Sequence, residues 1–152
     1  MNEQSIESAL ILHLKEWPDI AALIESRIYP DYVPQPIAGD AALPAIAVSV
    51  DGDEAHESLD SPAVLYMAEF EVNCWADTKL QAETLRRAVR DCLNGFVGTL
   101  GEYSNVKIEG LSAQRSVFVS VGQTVRRAHM GAVTGVIWFT QDAPYQLNTT
   151  TG

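Results

Sequence analysis

The residues of this chain that could do chemistry are two cysteines, three histidines, one dense acidic run and a pair of adjacent arginines. Cys74 stands in "FEVNCWADTKLQAE", where an alternating apolar pattern gives way to a helical one. A thiol at such a strand-to-helix turn could serve as a nucleophile, a metal ligand or part of a core. A nucleophilic thiol needs a base within reach and an electropositive setting. Glu71, Asn73 and Asp77 supply the reverse. Cys74 also shares strand parity with Phe70 and Val72, and a free Cys in such a run behaves as a small hydrophobe. Cys92 falls in the apolar stripe of the following helix and takes the same reading. Two cysteines are too few for a disulfide scaffold and show no paired metal spacing. A reduced, cytoplasmic folding environment is the simplest reading.

The acidic run "DGDEAHESLD" holds Asp51, Asp53, Glu54, His56, Glu57 and Asp60. Hard cations favour clustered carboxylates. An EF-hand loop begun at Asp51 would need Gly at its sixth position and Glu at its twelfth, and those places hold His56 and Pro62. The run reads instead as a loop over 51–62, long for a hairpin connection, and long loops are often functional. It is taken as a candidate partner-contact surface. His13, His56 and His129 lie far apart and form no local ligand pair; His13, on an apolar helix face, reads as a partly buried core residue. Arg126 and Arg127 could bind an anion, but in so acidic a chain an acidic neighbour is the better partner. No nucleophile elbow, phosphate loop, zinc helix or dinucleotide fingerprint is present. Nothing in the sequence argues for an enzyme, a cofactor or a resident metal.

The elements that carry these residues follow from periodicity. The 152 residues suit one domain, expected over 1–141, with a flexible tail over 142–152. Residues 5–17 read as an amphipathic helix capped by Ser5 and stopped by Pro18, and a short helix follows from Asp19 to about Ser26. Four prolines, Pro30, Pro34, Pro36 and Pro44, favour an extended surface path after Arg27. "PAIAVSVD" is a strand with Ile46, Val48 and Val50 on one face. "AVLYMAEFEVNCWA" is a longer one: Tyr66, Ala68, Phe70, Val72 and Cys74 face one side, Glu69, Glu71 and Asn73 the other. A helix capped by Asp77 or Thr78 runs to about Leu93. Its stripe is Leu85, Ala88, Val89, Cys92 and Phe96, with Arg86, Arg87 and Arg90 opposite and Glu83 placed to pair with Arg87. Two more strands, "NVKIEGLSAQR" and "HMGAVTGVIWFTQ", flank a segment that either extends them as a hairpin or forms a mobile loop. The expectation is an α+β domain of order ααββαββ, a mainly antiparallel four-stranded sheet with helices packed on one face.

Charge narrows the partners. Twenty acidic against ten basic side chains give a formal −10, which disfavours a grip on nucleic acid or an anionic membrane. The N-terminal segment carries no basic flank and too short an apolar stretch for a signal peptide or anchor.

The ordered set "SRIYPDYVPQP", "LPAIAVSV" and "AEFEVNCWADTKLQAETLRRAVRDCLNGF" resembles the phage tail completion family, the tail terminator and tail-to-head joining proteins of tailed phages and prophages. The resemblance runs over roughly residues 5–140, with the arginine pair at the start of a closing hairpin. It implies a structural virion protein, neither enzyme nor cofactor carrier. Such a subunit would sit in a ring, commonly six-membered, at the head-proximal end of the tail. The ring stops tube growth and docks the head connector. The implied partners are further copies of the chain, the tail tube protein and the connector or neck proteins. DNA passes through without specific binding; six copies at −10 carry a formal −60. Assembly would take place in the host cytoplasm.

Rival readings are another neck or connector protein, or a monomeric α+β ligand-binding or regulatory domain. A head-to-tail ring needs two complementary patches on each subunit. The sequence offers an acidic strand face (Glu69, Glu71, Asn73) and a basic helix face (Arg86, Arg87, Arg90) as the candidate subunit interface.

Overall fold

A computed structural model describes residues 5–34, 42–56, 63–121 and 126–142. Chain order is α1 (Ile6–Glu16), α2 (Pro18–Ile24), β1 (Ile28–Pro30), β2 (Ala45–His56), β3 (Ala63–Ala76), α3 (Lys79–Leu93), β4 (Val97–Leu100), β5 (Tyr103–Val121) and β6 (Arg126–Asp142). The order is therefore ααβββαβββ, and the sheet has six strands in the order β1-β2-β3-β6-β5-β4. This corrects the expected four strands. The two additional ones, "IYP" and "VGTL", are three and four residues long, too short to show an alternation. All pairings are antiparallel except β1 with β2.

Local signals set the helix ends. The Ser5 side chain accepts from the Ser8 N–H at 3.0 Å, and Thr78 accepts from Gln81 N–H at 3.2 Å. Pro18 opens α2 at a position where its missing N–H costs nothing. Gly95, at φ +71°, follows the last turn of α3, as a left-handed exit requires.

The helices lie on one face of the sheet. Ile6, Leu10 and Leu14 of α1, Ile20 and Ile24 of α2, and Leu85, Val89 and Cys92 of α3 form one core with Ile46, Val48, Phe70, Val72, Cys74, Val133, Ile137 and Phe139 of the strands. Contacts of α1 reach both β1 and β4, the two edge strands, so the sheet curls around the helical layer. The "RIYP" and "LP" segments meet here. Ile28 pairs with Ile46 in the one parallel ladder, and Arg27 Nε donates to the Pro44 carbonyl at 2.8 Å.

The expected loop over 51–62 is strand in its described part. Residues 51–56 extend β2 past an irregularity between Asp51 and Glu54, so Asp51, Asp53, Glu54 and His56 stand on a strand; Glu57 and Asp60 lie outside the described residues. Of the two forms left open for the segment after Arg115, the hairpin is the one adopted: β5 and β6 pair as far as Val121 with Arg126. The tail from 143 onward lies outside the described residues.

Candidate functional site: the acidic outer face of the sheet

Cys74 is fully buried beneath the helices. Burial pushes its thiol up to about 12, against the opposing pull of the Arg86 guanidinium. Cys92 is likewise buried and raised to about 12. Both are protonated at neutral pH and sheltered from solvent, so they pack rather than react. His13 has its pKa lowered by burial, with a backbone hydrogen bond to Cys92 and the nearby Glu16 pulling the other way. Its ring meets Phe96 edge-on at 4.8 Å, and its Nε2 has no hydrogen-bond partner among the described residues. These are core groups.

The opposite face of the same strands is charged. Glu69 and Glu71 are exposed, and their cross-strand neighbours on β2 are Asp51 and Ser49. With Asp31 and Thr134 they line an open groove of about 680 Å³ that holds four carboxylates and no basic side chain. Phe70 and Gly135 form part of its floor. On the helix-facing side of this pair Gly135 is closely packed: a Cβ there would come within 2.8 Å of the Phe70 ring. Asn73, one pair further along, is half-buried between Ala47 and Ala132, its Oδ1 without a partner among the described residues. Across the sheet, Glu109 is engaged, accepting from the Trp138 indole N–H at 2.8 Å and pairing with Lys107 at 3.3 Å. No three metal-ligating side chains cluster among the described residues, and none of the described helices is long and apolar enough to cross a membrane.

The helix arginines differ from expectation. Glu83 pairs with Arg86 at 2.6 Å rather than with Arg87, and the two side chains are only 18% and 12% exposed. Arg86 is thus not on the open side of α3. Ala82 and Leu93 are buried as well as Leu85, Ala88, Val89 and Cys92 of the expected stripe, and Arg86 lies one turn from Ala82 and two turns from Leu93. Arg90 pairs with Asp91 at 3.4 Å, and Arg87 is exposed. The acidic half of the expected interface therefore lies on the helix-free side of the sheet. The basic half is reduced to Arg87 and a half-exposed Arg90.

The sheet is thus curled, with a dry helical side and an acidic groove on its outer side. The chain belongs to the phage tail completion family: Tail completion protein gp17 matches residues 8–130. It is a structural tail protein. Among curated proteins no sequence matches it. Its fold is similar to that of a chain in the virion of the native gene transfer agent particle. The TM-score is 0.52 at 20% identity, covering 91% of this chain and 96% of the other.

Proposed function

We propose that this protein forms a ring, six-membered in the simplest case, at the head-proximal end of a phage tail tube. There it ends tube growth and presents a docking surface to the head connector. The observation that carries the reading is the match to the tail completion family over residues 8–130. The geometry supports it in one respect. The helices close one side of the sheet and leave on the other an open, acidic groove without a basic lining residue. A surface of one sign, set apart from the core, suits contact with a surface of the other sign. In this reading Glu69, Glu71 and Asn73 turn toward the next subunit. Two basic surfaces qualify as their counterpart: the Arg87–Arg90 side of α3 and the β5–β6 hairpin. DNA passes the assembled ring without being held, consistent with the net charge of −10 per copy.

Electron microscopy of particles made without this gene tests the proposal. The expected phenotype is abnormally long tails and heads that fail to join them. Normal tail length with normal joining would overturn it.

A further inference from the structure

The β5–β6 hairpin outgrows the sheet that should support it. On one side, β4 pairs with β5 no further than Lys107, so from Gly110 to Val121 no strand of the described residues covers the outer edge of β5. On the other, β3 ends at Ala76 opposite His129, so β6 from Arg126 to Ala128 has no third strand beside it. Residues Val119–Val121 and Arg126–Ala128 are thus a two-stranded ribbon projecting past the sheet. An isolated ribbon of this kind is marginal in water, and natural proteins protect long edges with charges, prolines or covering elements. The β5 edge from Gly110 to Val121 contains no proline and one charged residue, Arg115.

The charge of this region is as distinctive as its edge. No Asp or Glu occurs from Gly110 to Gln141, while Arg115, Arg126 and Arg127 all fall in it. In a chain of net −10 this is a basic segment by local composition.

A second uncovered edge lies at the other end of the molecule. Along β2, Ile46 N–H donates to the Arg27 carbonyl, the Val48 carbonyl accepts from Asp31 N–H, and Val50 N–H donates to Glu7 Oε2. Beyond Val50 no strand of the described residues flanks β2 on that side. This edge, Asp51–His56, carries Asp51, Asp53 and Glu54, and Asp51 forms the rim of the acidic groove.

We infer that the β5–β6 hairpin is an assembly arm that adds as strands to the open β2 edge of the next copy of this chain. The two edges lie at opposite ends of the strand axis and differ in sequence and sign, so the contact is head-to-tail and repeats from copy to copy. Backbone hydrogen bonds along the edge supply the adhesion, and the opposed charges set register and direction. Two arms facing each other would oppose like charges, which disfavours a symmetric arm-to-arm pairing. The inference rests on the ring reading and names the surface through which the ring closes, choosing the hairpin over α3 as the basic partner.

The first test is the assembly state of the purified full chain, by mass photometry at low and high salt. Arg126→Glu with Arg127→Glu should raise the concentration needed for assembly by about tenfold or more, with an unchanged circular dichroism spectrum. Adding Asp51→Arg with Glu54→Arg to the same chain should recover assembly. Arg87→Glu with Arg90→Glu, on α3, should leave it intact. A second test does not depend on reversed charges. Glu54→Cys with Ser120→Cys should give an intermolecular disulfide ladder on mild oxidation; Cys74 and Cys92, buried and protonated, contribute nothing to it. Rings that persist through the arm reversal, or a cysteine pair that yields no ladder in assembled material, would overturn the arm. Rings lost to the α3 reversal alone would transfer the contact to the helix. A wild-type chain that remains monomeric even with tail tubes would instead defeat the ring reading, before any variant is made.

Discussion

The two faces of β3 do opposite work with alternate residues of one strand. Toward the helices it presents Tyr66, Ala68, Phe70, Val72, Cys74 and Ala76, of which all but Tyr66 are buried. Away from them it presents Glu69 and Glu71, both exposed, with Leu65, Met67, Asn73 and Trp75 part-covered. Strand geometry enforces the division, since successive side chains point to opposite sides. The inner set is interlocked: the Phe70 ring lies over Gly135, and Phe139 stacks on Tyr66 at 5.5 Å and meets Tyr103 edge-on at 5.3 Å. The outer set has no such constraint. The difference teaches that neighbouring residues of one strand can differ sharply in what their substitution costs the fold: the inner set is packed and the outer set is not.

The comparison breaks most visibly at Phe70. Phe70→Ala removes a ring that fills the space over Gly135, and a large-to-small change of this kind costs about 3–5 kcal/mol. Chemical denaturation should show a lower midpoint with an unchanged slope. A cost under about 1 kcal/mol would mean that the inner face is loosely packed. Cys74→Ala sits four residues along the same face and removes only a sulfur, so the expected loss is about 1 kcal/mol. The variant should retain tail completion in whatever protein folds. Loss of function in a normally stable Cys74→Ala protein would show the thiol to have a role beyond packing.

Periodicity alone makes these inner residues legible in the sequence. The alternation through "AVLYMAEFEVNCWA" matches β3 at both ends, and Thr78 caps α3 as its side-chain chemistry suggests. What stayed hidden depends on distant chain. β1 is a strand only because Ile28–Pro30 lies beside Ile46–Val48, and three residues carry no period of their own. The acidic 51–56 segment resembles a loop by composition, yet Asp51 pairs with Glu69 and Glu54–His56 with Leu65–Met67 of β3, and tertiary pairing overrides weak strand propensity. Arg86 was misplaced because the buried stripe of α3 is wider than its most apolar residues. Ala82 and Leu93 extend it toward Arg86, whose charge is then met by Glu83. At the groove, Glu69 and Glu71 were legible as a polar face, whereas Asp31 joins them only through the β1–β2 ladder.

His13 sharpens the comparison from the dry side, by a smaller effect. Burial lowers its pKa, so the folded state binds the proton more weakly than the unfolded state, where the value is near 6.5. Between the lowered value and 6.5 the unfolded chain therefore holds more protons, and stability rises with pH. The contribution is complete above that window and is lost as pH falls through it. His13→Gln, which cannot ionise, should flatten this part of the stability–pH curve relative to wild type. Equal slopes for the two proteins between pH 5 and 7, measured by thermal melting, would place His13 in water instead of against Phe96.

The smallest stability effect is expected on the outer face, and its smallness is the point. Glu69 is directly opposite Asp51 across the β2–β3 ladder, and Glu71 lies one pair away on the same face. Like charges placed opposite each other in a sheet disfavour folding slightly. Both glutamates are exposed, and neither is bonded to a cation among the described residues. Glu69→Gln with Glu71→Gln should therefore change stability by less than about 0.5 kcal/mol, in the stabilising direction if at all. Screening predicts that the difference from wild type shrinks further as salt approaches 1 M, where the Debye length is about 3 Å. If the groove faces the next copy as proposed, the same substitutions should weaken assembly, because they remove two of the four carboxylates that give the groove its sign. A loss of more than about 1 kcal/mol in the isolated chain would show that the glutamates hold the fold together. Wild-type assembly in a variant of unchanged stability would show that the outer face is solvated surface and not part of the contact.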